Sequence, residues 1–159
     1  SYAIVYSSKT GNTKILADTL HDCLPQEAAI ISASRILPPW KRTPFMWASG
    51  RTREMPMKAF GLLKQLHGKN IFLFGTAGFG GSKEYFDKIL KKVEHSLDKS
   101  NTVFGCYMVS KMPMSVRQRY ESMKKQPIHL QLDAMIENFD KALSHPDADD
   151  LEQLKQAVR

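Results

Sequence analysis

The sequence predicts an α/β fold, a three-layer α/β/α sandwich built on a parallel sheet. Two observations carry that expectation. Short apolar runs at Tyr2-Ala3-Ile4-Val5-Tyr6, Ile71-Phe72-Leu73-Phe74 and Thr102 to Val109 alternate with segments of helical period. Buried parallel strands covered by helices on both faces have that pattern. In addition, two loops rich in hydroxyls or glycine, 7–13 and 75–82, each follow a strand directly. Both therefore lie on the carboxyl edge of the sheet, where such folds bind ligands.

Tyr2 to Tyr6 reads as the first strand, ended by Ser7. Thr13 to Leu24 reads as a helix with Ile15, Leu16, Leu20 and Cys23 or Leu24 at helical spacing, stopped by Pro25. Ala28 to Ile31 fits a second strand, and Ala59 to Leu66 a short helix. Asn70 to Gly75 is a buried strand, and Gly75 to Gly81 a glycine-rich loop. Ser82 then caps a helix running to about Leu97, with Phe86, Ile89, Leu90, Val93 and Leu97 inward. After the strand Thr102–Val109, residues 110–114 form a turn and 115–125 a helix. Leu130 to Leu143 is amphipathic, with Leu132, Met135, Ile136, Phe139 and Leu143 as its apolar stripe. Asp147 to Val158 is a short helix with an acidic start, expected to dock loosely.

A chain of 159 residues is expected to form one domain, 1–159, whose core needs no disulfide or metal. Cys23 and Cys106 form no C-x-x-C pair, which points to a reducing compartment. The first apolar run is too short for a signal-peptide core or a membrane span, so a cytoplasmic protein with no membrane partner is expected. The net charge of +7 is concentrated: residues 31–58 hold six basic side chains against Glu54, leaving only +2 elsewhere. Trp40, Phe45 and Trp47 stand among those charges, as base-stacking side chains do, but four prolines break the stretch, and no nucleic-acid partner is expected. His21, His67, His95, His129 and His145 show no ligand spacing and are read as surface or packing residues. The methionines read as core and loop filler, and no metal site is expected.

Ser8-Lys9-Thr10-Gly11-Asn12-Thr13 joins the first strand to the first helix. It offers three hydroxyls, an amide and a run of backbone N–H groups at a helix start, which together suit a phosphate. A helix cap alone needs only one such side chain. The Gly-Lys-Ser/Thr of a nucleotide-binding P-loop is absent, and a dinucleotide G-x-G-x-x-G counted from Gly78 meets Lys83 at its last position.

The run Ile4 to Thr13 resembles the first strand and phosphate loop of flavodoxins. The resemblance implies a flavodoxin-like fold and a bound flavin mononucleotide (FMN). Ser8, Thr10, Asn12 and Thr13 would donate to its phosphate, Lys9 would stand in the same loop, and Gly11 would permit the turn. Gly75 to Gly81 stands where the family has a later flavin loop, and Glu84-Tyr85-Phe86 after it is also similar. That implies ring contacts from Thr76, Ala77, Gly78, Phe79 and Gly80, with Phe79 as the available aromatic. Lys111-Met112-Pro113-Met114-Ser115 and the tail Ile136 to Pro146 resemble short flavodoxins of anaerobic bacteria. The resemblance covers residues 2–30 and 60–158.

Residues 31–58 do not share it. The family has its central third strand there, followed by a ring-binding loop, so the central strand is expected to be short or defective. A displaced reading frame is the expected cause of the misfit, and a diverged insertion is the alternative. Back-translated from the third base of the Phe45 codon, residues 45–53 can yield Tyr-Val-Gly-Phe-Trp-Thr-Asp-Lys-Gly, an apolar strand end with an aromatic loop.

No acid, base or nucleophile constellation is present, so no catalytic residue is assigned. The expected function is electron transfer through FMN to or from a partner reductase. The alternative is an accessory or interaction module of the same fold that binds flavin weakly or not at all.

Overall fold

A computed structural model describes residues 3–8, 11–25, 29–32, 45–49, 63–78, 83–112, 114–124 and 131–159, with the backbone alone for 29–32 and 45–49. Five parallel strands, β1 (Ala3–Ser7), β2 (Ala29–Ser32), β3 (Phe45–Ser49), β4 (Asn70–Ala77) and β5 (Thr102–Ser110), form one sheet in the order β2-β1-β3-β4-β5. The chain steps outward from β1 to β2 and then crosses back to β3. The switch point between β1 and β3 is where such sheets open a ligand crevice. The helices are α1 (Asn12–Cys23), α2 (Lys83–Glu94), α3 (Met114–Met123), α4 (Leu132–Lys141) and α5 (Ala148–Val158).

Three layers follow from the two-residue period of the strands. Val5, Ile71 and Leu73 point to one face and pack with Leu90 and Val93 of α2. Ile4, Phe72 and Phe74 point to the other, against Leu16 and Leu20 of α1 and Leu154 of α5. Burying each such side chain stabilises the fold by about 1.5–3 kcal/mol. A smaller cluster joins Met112 after β5 to Phe139 of α4 and to Ala142.

Several elements differ from the sequence reading. The buried face of α1 is Thr13, Leu16, Ala17 and Leu20, while Ile15 and Cys23 are exposed. Leu143 lies past the end of α4 and is exposed, so the α4 face is Leu132 and Phe139 with Met135 and Ile136 half-buried. The last helix does not dock loosely: Leu154 is fully buried in the second core. β4 runs on through Gly75 and Thr76 to Ala77, residues read as loop. A parallel strand buried on both sides tolerates glycine when its backbone is paired, and Gly75 is in register with Ser49 and Met108.

The central strand is continuous. β3 is five residues long, as is β1, and its register runs from Phe45 to Ser49 along β1 and along β4. It is shorter than β4 but unbroken. Residues 33–44 and 50–62, to which most of the anomalous stretch belongs, lie outside the described residues.

β5 carries a bulge. Val103 pairs with Ile71 and Gly105 with Phe72, which leaves Phe104 without a partner in the ladder. The Phe104 ring stays beside that of Phe72, 5.8 Å between centroids. A Cβ on Gly105 would stand 3.0 Å from the Phe72 ring and 3.3 Å from the Ala157 carbonyl, so the missing side chain lets α5 lie close on the sheet.

Candidate functional site

The register aligns three strand ends: Ser7 of β1 is opposite Ser49 of β3, and Ser49 is opposite Gly75 of β4. The chain leaves this edge through Ser8 and enters α1 at Gly11. Gly11 has φ +83°, a left-handed conformation that only glycine adopts freely, and no atom lies within 4 Å of its missing Cβ. Conformation therefore demands glycine here, and space does not. α1 begins with no side-chain cap bond and no acid in its first turn, so its positive end is not offset by a carboxylate of its own. The Lys14 ammonium bonds Asp18 at 2.6 Å within the helix, and that bond holds its pKa above the ordinary lysine value.

Three hydroxyls define the site. The Ser8 Oγ is buried and has no hydrogen-bond partner among the described residues. The Thr13 Oγ1 lies 3.1 Å from the Thr76 Oγ1, with both residues buried. Each hydroxyl has one donor hydrogen and accepts as well. One hydrogen makes the bond, and the other remains available to an acceptor.

Of the residues expected to hold flavin, Ser8, Gly11, Asn12 and Thr13 stand together at the start of α1, and Thr76 meets them from β4. Thr76 and Ala77 belong to the strand and not to a loop, and both are buried. Gly78 is half-buried just beyond. A Cβ there would come within 2.8 Å of the Met112 Cγ, so a close approach demands this glycine. The Lys111 N–H donates to the Ala77 carbonyl at 3.0 Å. Lys9, Thr10, Phe79 and Gly80 lie outside the described residues.

Sequence reasoning missed two residues beside this edge. The Ser110 Oγ, opposite Ala77 in register, is also buried without a partner among the described residues. Met112 packs against Gly78. Both fall in a stretch that reads as a turn; Met112 is buried as the core-filler reading expects, but its place beside Gly78 has no local signal. His145, read as a surface or packing residue, in fact joins two carboxylates. Its Nδ1 lies 2.5 Å from an Asp150 oxygen and 3.6 Å from an Asp147 oxygen. Those carboxylates serve the start of α5: the Asp150 N–H donates to Asp147 and the Asp147 N–H to Asp150, a reciprocal capping box. Burial and the neighbouring Asp150 push the Tyr107 hydroxyl well above its usual pKa.

A flavodoxin-domain family model matches residues 46–159. The match opens inside β3, so the end of the anomalous stretch, from Met46, belongs to the family pattern. The flavodoxin-like domain-containing protein BilS of Clostridium symbiosum is 32% identical over 177 residues, covering 94% of this chain and 90% of its own. BilS of Clostridioides difficile is 26% identical, covering 93% and 88%. Among solved structures, oxidised flavodoxin 2 from Bacillus cereus superposes with a TM-score of 0.58 at 15% identity, over 99% of this chain and 95% of that one. A short-chain flavodoxin associated with a PDU bacterial microcompartment gives 0.53 at 15% identity, over 88% and 96%. The likeness to these structures concerns the fold. No helix among the described residues is long and apolar enough to cross a membrane. With its strand order, its glycine-opened first helix and these matches taken together, the chain belongs to the flavodoxin domain family.

Proposed function

We propose that this chain holds FMN noncovalently at the carboxyl edge of its sheet and acts as an electron-transfer flavoprotein, exchanging electrons with a partner reductase in the cytoplasm. The observation that carries the reading is the buried hydroxyl of Ser8, which has no hydrogen-bond partner among the described residues. A buried hydroxyl without a partner costs about 1–3 kcal/mol. A phosphate oxygen would meet it, beside a helix start whose N-cap residue, Gly11, has no side chain to cap with. Ser8, Thr10, Asn12 and Thr13 would donate to the phosphate, and Lys9 would add positive charge. Gly11 lets the backbone wrap, and the end of β4 with Gly78, Phe79 and Gly80 would face the ring. When bound, FMN supplies the redox chemistry. The protein binds it, orients it and limits its access to water.

Titration of the flavin-free protein with FMN and with riboflavin tests this. Tight FMN binding with visible flavin bands, and much weaker binding of riboflavin, is the expected result. Equal affinities would remove the phosphate site. No binding of either would leave the accessory-module reading in its place.

A further inference from the structure

We propose that α3 and α4 form one cooperative unit that opens away from the sheet as a body, while the sheet and its other helices stay folded. Burial separates the two parts. α1 places Leu16 and Leu20, α2 places Leu90 and Val93, and α5 places Leu154 in the two cores that flank the sheet. α3 buries no residue, and α4 buries Leu132 and Phe139. Among the described residues, neither helix gives a side chain to either sheet core. Phe139 and Ala142 instead close a small cluster around Met112, with Val116 of α3 packed against it. Elements with so few buried apolar contacts lie at the low end of the local stabilities within a fold.

The polar contacts point the same way. The Arg117 Nε donates to Asp140 at 2.9 Å, from α3 across to α4, and its guanidinium also bonds Glu121. Lys124, just past the end of α3, pairs with Asp133 in the first turn of α4. Exposed pairs contribute little to global stability. Their placement matters more: they join α3 to α4 at opposite ends of the pair, so the two helices move together. Ties to the rest of the fold lie at the base, just before α3 and just after α4. Met112 lies against Gly78, and the Lys111 ammonium donates to the Leu143 carbonyl. The His145 Nδ1 lies 2.5 Å from an Asp150 oxygen of α5. Opening draws Met112 off Gly78, at the edge of the sheet where the candidate site lies.

Hydrogen exchange of the whole chain under native conditions tests this, with no ligand needed. In the wild type, the interior amides of α3 and α4 are expected to share one opening free energy in a urea series. They should exchange at least about tenfold faster, relative to their intrinsic rates, than the Leu16 and Leu73 amides. Two variants read the coupling. Phe139→Ala, on α4, should speed exchange in α3 as well as α4 by at least about tenfold. Val116→Ala, on α3, should speed both helices at least about threefold. Leu16 and Leu73 should exchange as before in both variants. The proposal is overturned if α3 and α4 are as protected as Leu73, if each substitution acts on its own helix alone, or if Leu73 is speeded equally. Should Phe139→Ala fail to fold, Val116→Ala decides by whether its effect reaches α4.

Discussion

The side-chain hydroxyls of Thr13 and Thr76 meet at 3.1 Å in the interior, joining the first turn of α1 to the end of β4. This bond locks the helix start to the strand from which the second loop departs. Thr13→Val and Thr76→Val, made singly and together, should show a coupling of about 0.5–1.5 kcal/mol in urea unfolding. Additive effects within about 0.3 kcal/mol would show that the two hydroxyls act independently.

Ser8→Ala separates stability from binding. The variant removes a buried hydroxyl that has no partner among the described residues, so the flavin-free protein should melt at the wild-type temperature or slightly above it. FMN affinity should fall by about 1.5–3 kcal/mol, or roughly tenfold to a hundredfold, while riboflavin affinity stays as it was. Calorimetric titration with both ligands checks this, and an unstable variant with unchanged FMN binding would assign Ser8 to the fold.

Asp98 gives a pH dependence at the opposite end of the sheet. The Ser100 hydroxyl and N–H, then His67, hold its carboxyl at about 2. In the same turn Asn101 bonds the Leu66 carbonyl and the Lys69 N–H, and Ser100 accepts from the Gly68 N–H. The pKa is depressed in the folded state. Its stabilising contribution is therefore complete above the unfolded value of about 4 and is lost as pH falls toward 2. Asp98→Asn should remove that part of the acid sensitivity. Urea midpoints across this window measure it, and parallel curves for the two proteins would place the sensitivity elsewhere.

The family match from Met46 speaks against a displaced frame across residues 45–53, and the displaced-frame reading leaves one prediction by which it stands or falls. A protein carrying Tyr-Val-Gly-Phe-Trp-Thr-Asp-Lys-Gly in place of residues 45–53 should bind FMN more tightly and melt higher. The replacement would also change the strand that pairs β1 with β4. Sequencing the encoding DNA and weighing the purified protein provide an independent check. Unchanged affinity and melting temperature would make the present segment a working part of the molecule.

The parts of the fold that were legible in the sequence were those with a local signal. The apolar run at Ile4 and Val5, the alternation of strand and helix, and the hydroxyls around Gly11 gave the sheet, its layers and the start of α1. Other features depend on distant neighbours. Gly75 and Thr76 read as loop because glycine and threonine mark turns locally, yet pairing on both sides keeps them in β4. The acidic start of α5 reads as a surface feature, but buried Leu154, with Leu151 and Val158 packed beside it, anchors the helix in the core. Gly78 and Met112 are 34 positions apart, and nothing short of the folded chain brings them together.

The bulge at Phe104 bears on how the molecule behaves when concentrated. β5 is nine residues long, ends the sheet among the described strands, and carries no charged side chain. An uncharged outer strand of that length is a template for a strand from a neighbouring molecule. Charge does not guard it; the bulge interrupts the regular spacing of its backbone groups. Deleting Phe104 would straighten the outer rim, and its effect would register first as self-association rising with concentration, before any loss of the fold.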